Sequence, residues 1–92
     1  MGECLPPASD ELLDRYAAVL HTLGAAHGIT GLRHGRPGWL VGDVAPGRTL
    51  MDMARFELEA ESLLGAGVAL MASSAPAAAG MAGAPLRVTS AA

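Results

Sequence analysis

A small mixed α/β domain of the α+β type, its elements in the order α-β-β-α-β, is the fold class this sequence predicts. Three observations carry that expectation. Two stretches of helical apolar periodicity enclose two β-prone runs, a third short apolar run follows the second helix, and Gly and Pro punctuate every junction. A chain of 92 residues fits one such unit and no more.

The elements follow in chain order. Residues 1–8 contain Pro6 and Pro7 without periodicity and read as a flexible leader. Ser9 and Asp10 offer helix-capping side chains. Leu12, Tyr16, Val19, Leu20 and Leu23 then form one apolar stripe, with Glu11, Asp14 and Arg15 outside it. Gly24 and Gly28 bracket the end of that helix. Ile29 to His34 reads as a short strand weakened by Gly31, and His34-Gly35-Arg36-Pro37-Gly38 as a turn. Trp39 to Val44 is the stronger strand, closed by Ala45-Pro46-Gly47.

Thr49 with Asp52 three residues on is an acidic variant of the capping box and opens the second helix. Leu50, Met53, Ala54, Phe56, Leu58, Leu63 and Leu64 supply its apolar positions, and Gly65 terminates it. Gly67 to Met71 reads as the third strand. From Ser73 the chain is mostly Ala, Gly, Ser and Pro, with too little large apolar surface to offset its ordering entropy. A domain over 9–72 with a disordered, low-complexity tail over 73–92 is therefore expected.

Composition excludes several function classes. The net charge is -3, with six Arg and no Lys, so bulk electrostatic attachment to DNA is not expected. Cys4 is the single cysteine, which rules out an internal disulfide and suits a reducing cytoplasm. No apolar run approaches the ~20 residues that span a bilayer, and the N-terminus does not read as a signal peptide. A cytoplasmic protein without membrane attachment is the expectation. A domain this short gains from a partner or a second copy.

Residues 39–71 carry a further pattern. Trp39-Leu40-Val41-Gly42-Asp43-Val44-Ala45-Pro46-Gly47-Arg48-Thr49-Leu50, the helix Met51 to Leu64, and Leu63-Leu64-Gly65 leading into Val68-Ala69-Leu70-Met71 resemble the minimal nucleotidyltransferases of the DNA polymerase beta superfamily. Gly28-Ile29-Thr30-Gly31-Leu32-Arg33 and the helix before it fit that family's first strand and first helix, so the likeness covers roughly residues 12–72. The resemblance implies ATP and Mg as cofactors. It implies transfer of AMP to a protein, and in antitoxin members of the family that protein is a small helical toxin.

The residues that carry that chemistry in the family are missing here. The family has a Gly-Ser pair after the first strand, an Asp-x-Asp entering the second and a third Asp on the last strand, which together hold two divalent cations. Here no Gly-Ser pair follows Leu32. The Asp-x-Asp either falls on Pro37 and Trp39 or is deleted with a shortened linker, and the third Asp falls on Ala69. No catalytic residue carries over. The expected function is that of a degenerate nucleotidyltransferase-like domain that binds a partner through the second helix or the sheet. The alternatives are an active enzyme with substitute carboxylates from Asp43, Asp52 or another chain, and a plain interaction module or gene remnant.

Candidate site residues are few. His34, Gly35 and Arg36 are the candidates for a nucleotide phosphate, through backbone amides and a guanidinium. Asp43 is the candidate metal ligand, although a magnesium site commonly needs more than one carboxylate. His21, His27 and His34 are spaced too irregularly for zinc. Glu57, Glu59 and Glu61 read as a solvated helix face or a docking surface. Met51, Met53, Met71 and Met81 read as gap-filling core residues.

Overall fold

A computed structural model of the chain describes residues 5–87. The order is α1 (Asp10–Arg15), α2 (Ala17–Ala26), β1 (Ile29–His34), β2 (Trp39–Val44), α3 (Leu50–Leu64), β3 (Ala69–Ala72) and a 3-10 helix over Pro76–Gly80. The strands form one mixed sheet in the order β1-β2-β3, with β1 antiparallel and β3 parallel to β2. This is the α+β arrangement expected, with three helices in place of two. Cys4 lies outside the described residues. Among the described residues no helix is long and apolar enough to cross a membrane.

The first predicted helix is broken at Tyr16, whose φ of -103° and ψ of 17° leave the helical region. Its buried stripe is also rotated. Leu13, Ala17, Leu20 and Gly24 face the sheet, spaced four, three and four, while Val19 is left 48% exposed. Close approach decides this. A side chain at Gly24 would place its Cβ 2.7 Å from the Ile29 carbonyl oxygen, so the helix sits on β1 through its smallest residues.

In β1, Ile29 and Leu32 are both fully buried although they are three residues apart. The pairing shifts by one residue between Thr30 and Arg33, and Gly31 takes a φ of 62° at that bulge. A glycine that reads as a weakness in a strand is what returns Leu32 to the core face.

α3 starts and ends as the sequence predicts. The Thr49 hydroxyl accepts from the Met51 N–H at 3.2 Å, and Asp52 accepts from the Thr49 N–H at 2.9 Å. Phe56 and Ala60 are fully buried, but Leu50, Leu58 and Leu63 face solvent. Met51 is also exposed, so it is not a core residue. The acidic residues of α3 are not simply a solvated face. Glu57 accepts from the Leu70 N–H at 2.7 Å and Glu61 from the Val68 N–H at 3.1 Å. These bonds satisfy the outer edge of β3 and block it to further strands. Glu59 meets His27 at 3.2 Å.

Both predicted loose ends are corrected where the structure describes them. In the leader, Pro7 bridges to Gly67, the Ala8 N–H donates to the Gly67 carbonyl at 2.9 Å, and Ala8 is buried. In the tail, residues 73–87 cross from the end of β3 to the outer edge of β1, where Arg33 pairs with Pro85. The Gly83 N–H donates to the His34 carbonyl at 2.7 Å and the Leu86 N–H to the Leu32 carbonyl at 3.1 Å. Leu86 joins the main core beneath the helices. Fully buried Val41 lies on the opposite sheet face, and Met81 lies beside Gly35 and Trp39. Two well-placed apolar residues and free edge hydrogen bonds order a segment whose average composition predicts disorder.

Candidate functional site

The pairing of β2 with β3 places the two positions of interest side by side. β2 and β3 are parallel, and Trp39 is the Cα partner of Ala69. Both line a cleft of about 220 Å³ at the end of the sheet, together with Leu5, Pro7, Pro37, Gly38, Glu61, Gly67 and Val68. Glu61 is the one carboxylate in that lining, and its Oε2 already accepts from the Val68 N–H. The cleft is built from prolines, glycines, an indole and a methyl group, which offer no hard oxygen donors from side chains.

Asp43 stands further along β2, on the same face as Trp39 and Val41 by alternation. Both of its carboxylate oxygens accept from the Arg33 Nη2 at 3.1 Å. The Ser73 hydroxyl, with the Arg33 guanidinium second, holds the Asp43 carboxyl below its ordinary value. The carboxylate is thus ionised but neutralised by its neighbours. Among the described residues no three His, Cys, Asp or Glu side chains are grouped to hold a metal ion, at Asp43 or elsewhere.

The His34-Gly35-Arg36 turn does not form an amide cradle. The His34 N–H donates to the Ala84 carbonyl at 2.9 Å, and the Gly35 N–H to the Trp39 carbonyl at 3.0 Å. Arg36 is exposed, and its carbonyl accepts from the Trp39 N–H at 2.7 Å. The His34 ring turns away from the turn toward α1. Its Nε2 lies 2.8 Å from Asp14 Oδ1, and its buried Nδ1 lies 3.4 Å from Asp10 without a hydrogen bond.

A solved structure of a candidate minimal nucleotidyltransferase superposes on the chain with a TM-score of 0.61, at 29% identity, over 75% of this chain and 84% of that one. This chain has the minimal nucleotidyltransferase fold. No protein-family model matches the sequence, and no curated protein is significantly similar to it. On the nucleotidyltransferase fold, the pairing of Trp39 with Ala69 takes on meaning. Ala69 stands where the resemblance puts the third Asp, and Trp39 either takes one place of the Asp-x-Asp or adjoins the shortened linker from which that motif is deleted; the parallel register sets the two residues against each other across adjacent strands. Magnesium and a triphosphate require several oxygen donors at such a place. The residues present do not fit that group.

Sequence reading missed Asp14, which no local signal marks. Besides His34 it accepts from the Arg87 N–H at 2.9 Å, joining α1, β1 and the C-terminal segment. The Arg87 amide foremost, and then His34, hold its carboxyl below the ordinary value of 3.8. A carboxylate depressed in the folded state stabilises the fold above its unfolded pKa, and that contribution disappears as pH falls through the lower folded value. Acid unfolding therefore acquires a limb below about pH 4 that depends on Asp14. Asp14→Asn is expected to lower stability at pH 7 and to flatten that limb in a pH series of urea midpoints. Parallel pH profiles for the two proteins would contradict the assignment.

Proposed function

We propose that this chain is a nucleotidyltransferase-fold module that has given up the two-cation reaction and works by binding another protein in the cytoplasm. The observation that carries the reading is the Trp39–Ala69 register pair, an indole and a methyl at the end of the sheet where the resemblance, whether its Asp-x-Asp falls on Pro37 and Trp39 or is deleted, leaves no acid. Two others support it. Asp43 is already engaged by Arg33, and residues 73–87 cross the sheet face on which Trp39 and Val41 stand.

With that face covered, the helical layer is the surface left for a partner. The outer side of α2 presents Ala18, Val19, Thr22, Leu23 and Ala26 around a shallow groove of about 450 Å³, with no charged side chain in its lining. A groove of this kind takes the apolar stripe of a partner helix. That suits a small helical protein such as the toxin that the resemblance implies.

The test uses a candidate helical partner with labelled ATP and magnesium. The reading expects a complex that Val19→Glu weakens and no AMP on either protein. Incorporation of AMP that disappears in Asp43→Ala would restore the enzyme reading. A failure to bind any helical partner would remove the antitoxin-like role.

A further inference from the structure

The segment around Pro85 adds a short strand to the outer edge of β1. Arg33 and Pro85 are antiparallel bridge partners. The His34 N–H donates to the Ala84 carbonyl, and the Leu86 N–H to the Leu32 carbonyl. Bonds so placed flank the bridge, which makes Arg33 and Pro85 a non-hydrogen-bonded pair. The Pro85 nitrogen therefore faces away from β1, and its missing N–H costs the pairing nothing. On the outward side the same proline ends the sheet, because it offers no donor to a further strand.

Few side chains decide what fits this edge. A Cβ at Gly83 would lie 3.2 Å from the His34 carbonyl oxygen, so glycine is favoured there. Proline is accommodated two residues on. Leu86 is 4% exposed and is the one large apolar anchor between Ala82 and Arg87. Asp14 holds the far end by accepting from the Arg87 N–H. The remaining recognition is by backbone, which any extended chain of this pattern can supply.

The attachment upstream is a natural pivot. Ala78 is buried in the 3-10 helix, but a Cβ at Gly80 would meet nothing within 4 Å. Rotation between Gly80 and Gly83 releases residues 84–87 while the 3-10 helix stays docked. The opening frees the His34 N–H, the His34 and Leu32 carbonyls and the apolar seat of Leu86. A strand edge in that state is a template for an incoming chain.

We infer that the outer edge of β1 is a strand-acceptor site, closed in cis by residues 83–87, which a partner protein enters with an extended Gly-x-Pro-Leu segment. The site shares no residue with the α2 groove and does not depend on the loss of catalysis.

Hydrogen exchange and NMR titration of the full chain test this. The Gly83, His34 and Leu86 amides exchange together, at least ~10-fold faster than the Leu20 amide of the core. A capped peptide of residues 82–87 is the probe. It shifts the Leu32 and His34 resonances of the Leu86→Ala chain at a concentration at least ~10-fold lower than for the unaltered chain, because the weakened cis strand competes less well. Gly83→Ala crowds the His34 carbonyl without emptying the core, and it moves the balance in the same direction. The peptide carrying Leu86→Ala does not bind. Edge amides that exchange only with global unfolding would overturn the inference, as would a peptide that binds all three chains equally or none. A dimer of the unaltered chain that Leu86→Ala abolishes would place a second copy's segment on the edge and overturn the choice of partner.

Discussion

Phe56→Ala is expected to cost about 3–5 kcal/mol of unfolding free energy, the largest single-residue effect in this domain. Phe56 is the largest side chain among those that are fully buried, and it reaches from α3 into the core that Leu13, Leu20, Ile29, Leu32, Leu40 and Leu70 complete. Few residues can close over the space it leaves. The neighbours are aliphatic and fixed by strand pairing, and Tyr16 and Trp39 are the only other aromatic residues in the chain. A domain of this size holds roughly 5–14 kcal/mol in total, so the variant loses a large fraction of its stability. Thermal unfolding should fall by well over ~10 °C. Urea unfolding of the two proteins checks this, and a midpoint shift equivalent to less than ~1 kcal/mol would show that α3 does not close the core as described.

The second large effect concerns the C-terminal segment. Removing residues 75–92 is expected to destabilise the domain by at least about 3 kcal/mol, more than Leu86→Ala alone at about 2–3 kcal/mol. The deletion takes away buried Ala78 and Leu86. It also frees the β1 edge, where the His34 carbonyl and N–H bond to Gly83 and Ala84. Asp14 loses the Arg87 amide as well. A segment that hung loose would leave the melting temperature unchanged when removed. An unchanged melting temperature would therefore contradict the fold described for 73–87.

That segment marks the limit of what the sequence discloses. Helix limits written in local chemistry were legible: Thr49 and Asp52 close a capping box, and Gly65 ends α3 with a φ of 68°. The order of elements along the chain and the nucleotidyltransferase likeness were also legible, because the turn Ala45-Pro46-Gly47 and the run Leu63-Leu64-Gly65 are short-range patterns. Features set by distant partners were not. Which side of the first helix is buried depends on how closely Gly24 approaches Ile29. Leu86 is one leucine in a bland stretch, and its burial depends on a free strand edge more than fifty residues away in the sequence.

The candidate site divides in the same way. Asp43 stood out as an isolated acid, but its partner Arg33 lies across the β1–β2 turn and becomes visible only with the bulged register at Gly31. The amides of His34 and Gly35 looked available in a glycine-rich turn until β2 and the C-terminal segment were seen to accept them. By contrast, the absence of acids from the stretch before Trp39 and from Ala69 is a property of the sequence itself, read through the likeness. The structure adds that these two positions are register partners.

Manganese binding followed by paramagnetic broadening of the backbone amide resonances is the most direct test of the central claim, that this sheet has no seat for catalytic cations. With ATP and manganese titrated into the full chain, the account predicts no saturable broadening at Trp39, Asp43 or Ala69 up to millimolar metal. Selective broadening of those three amides at stoichiometric metal, relieved by magnesium, would contradict it.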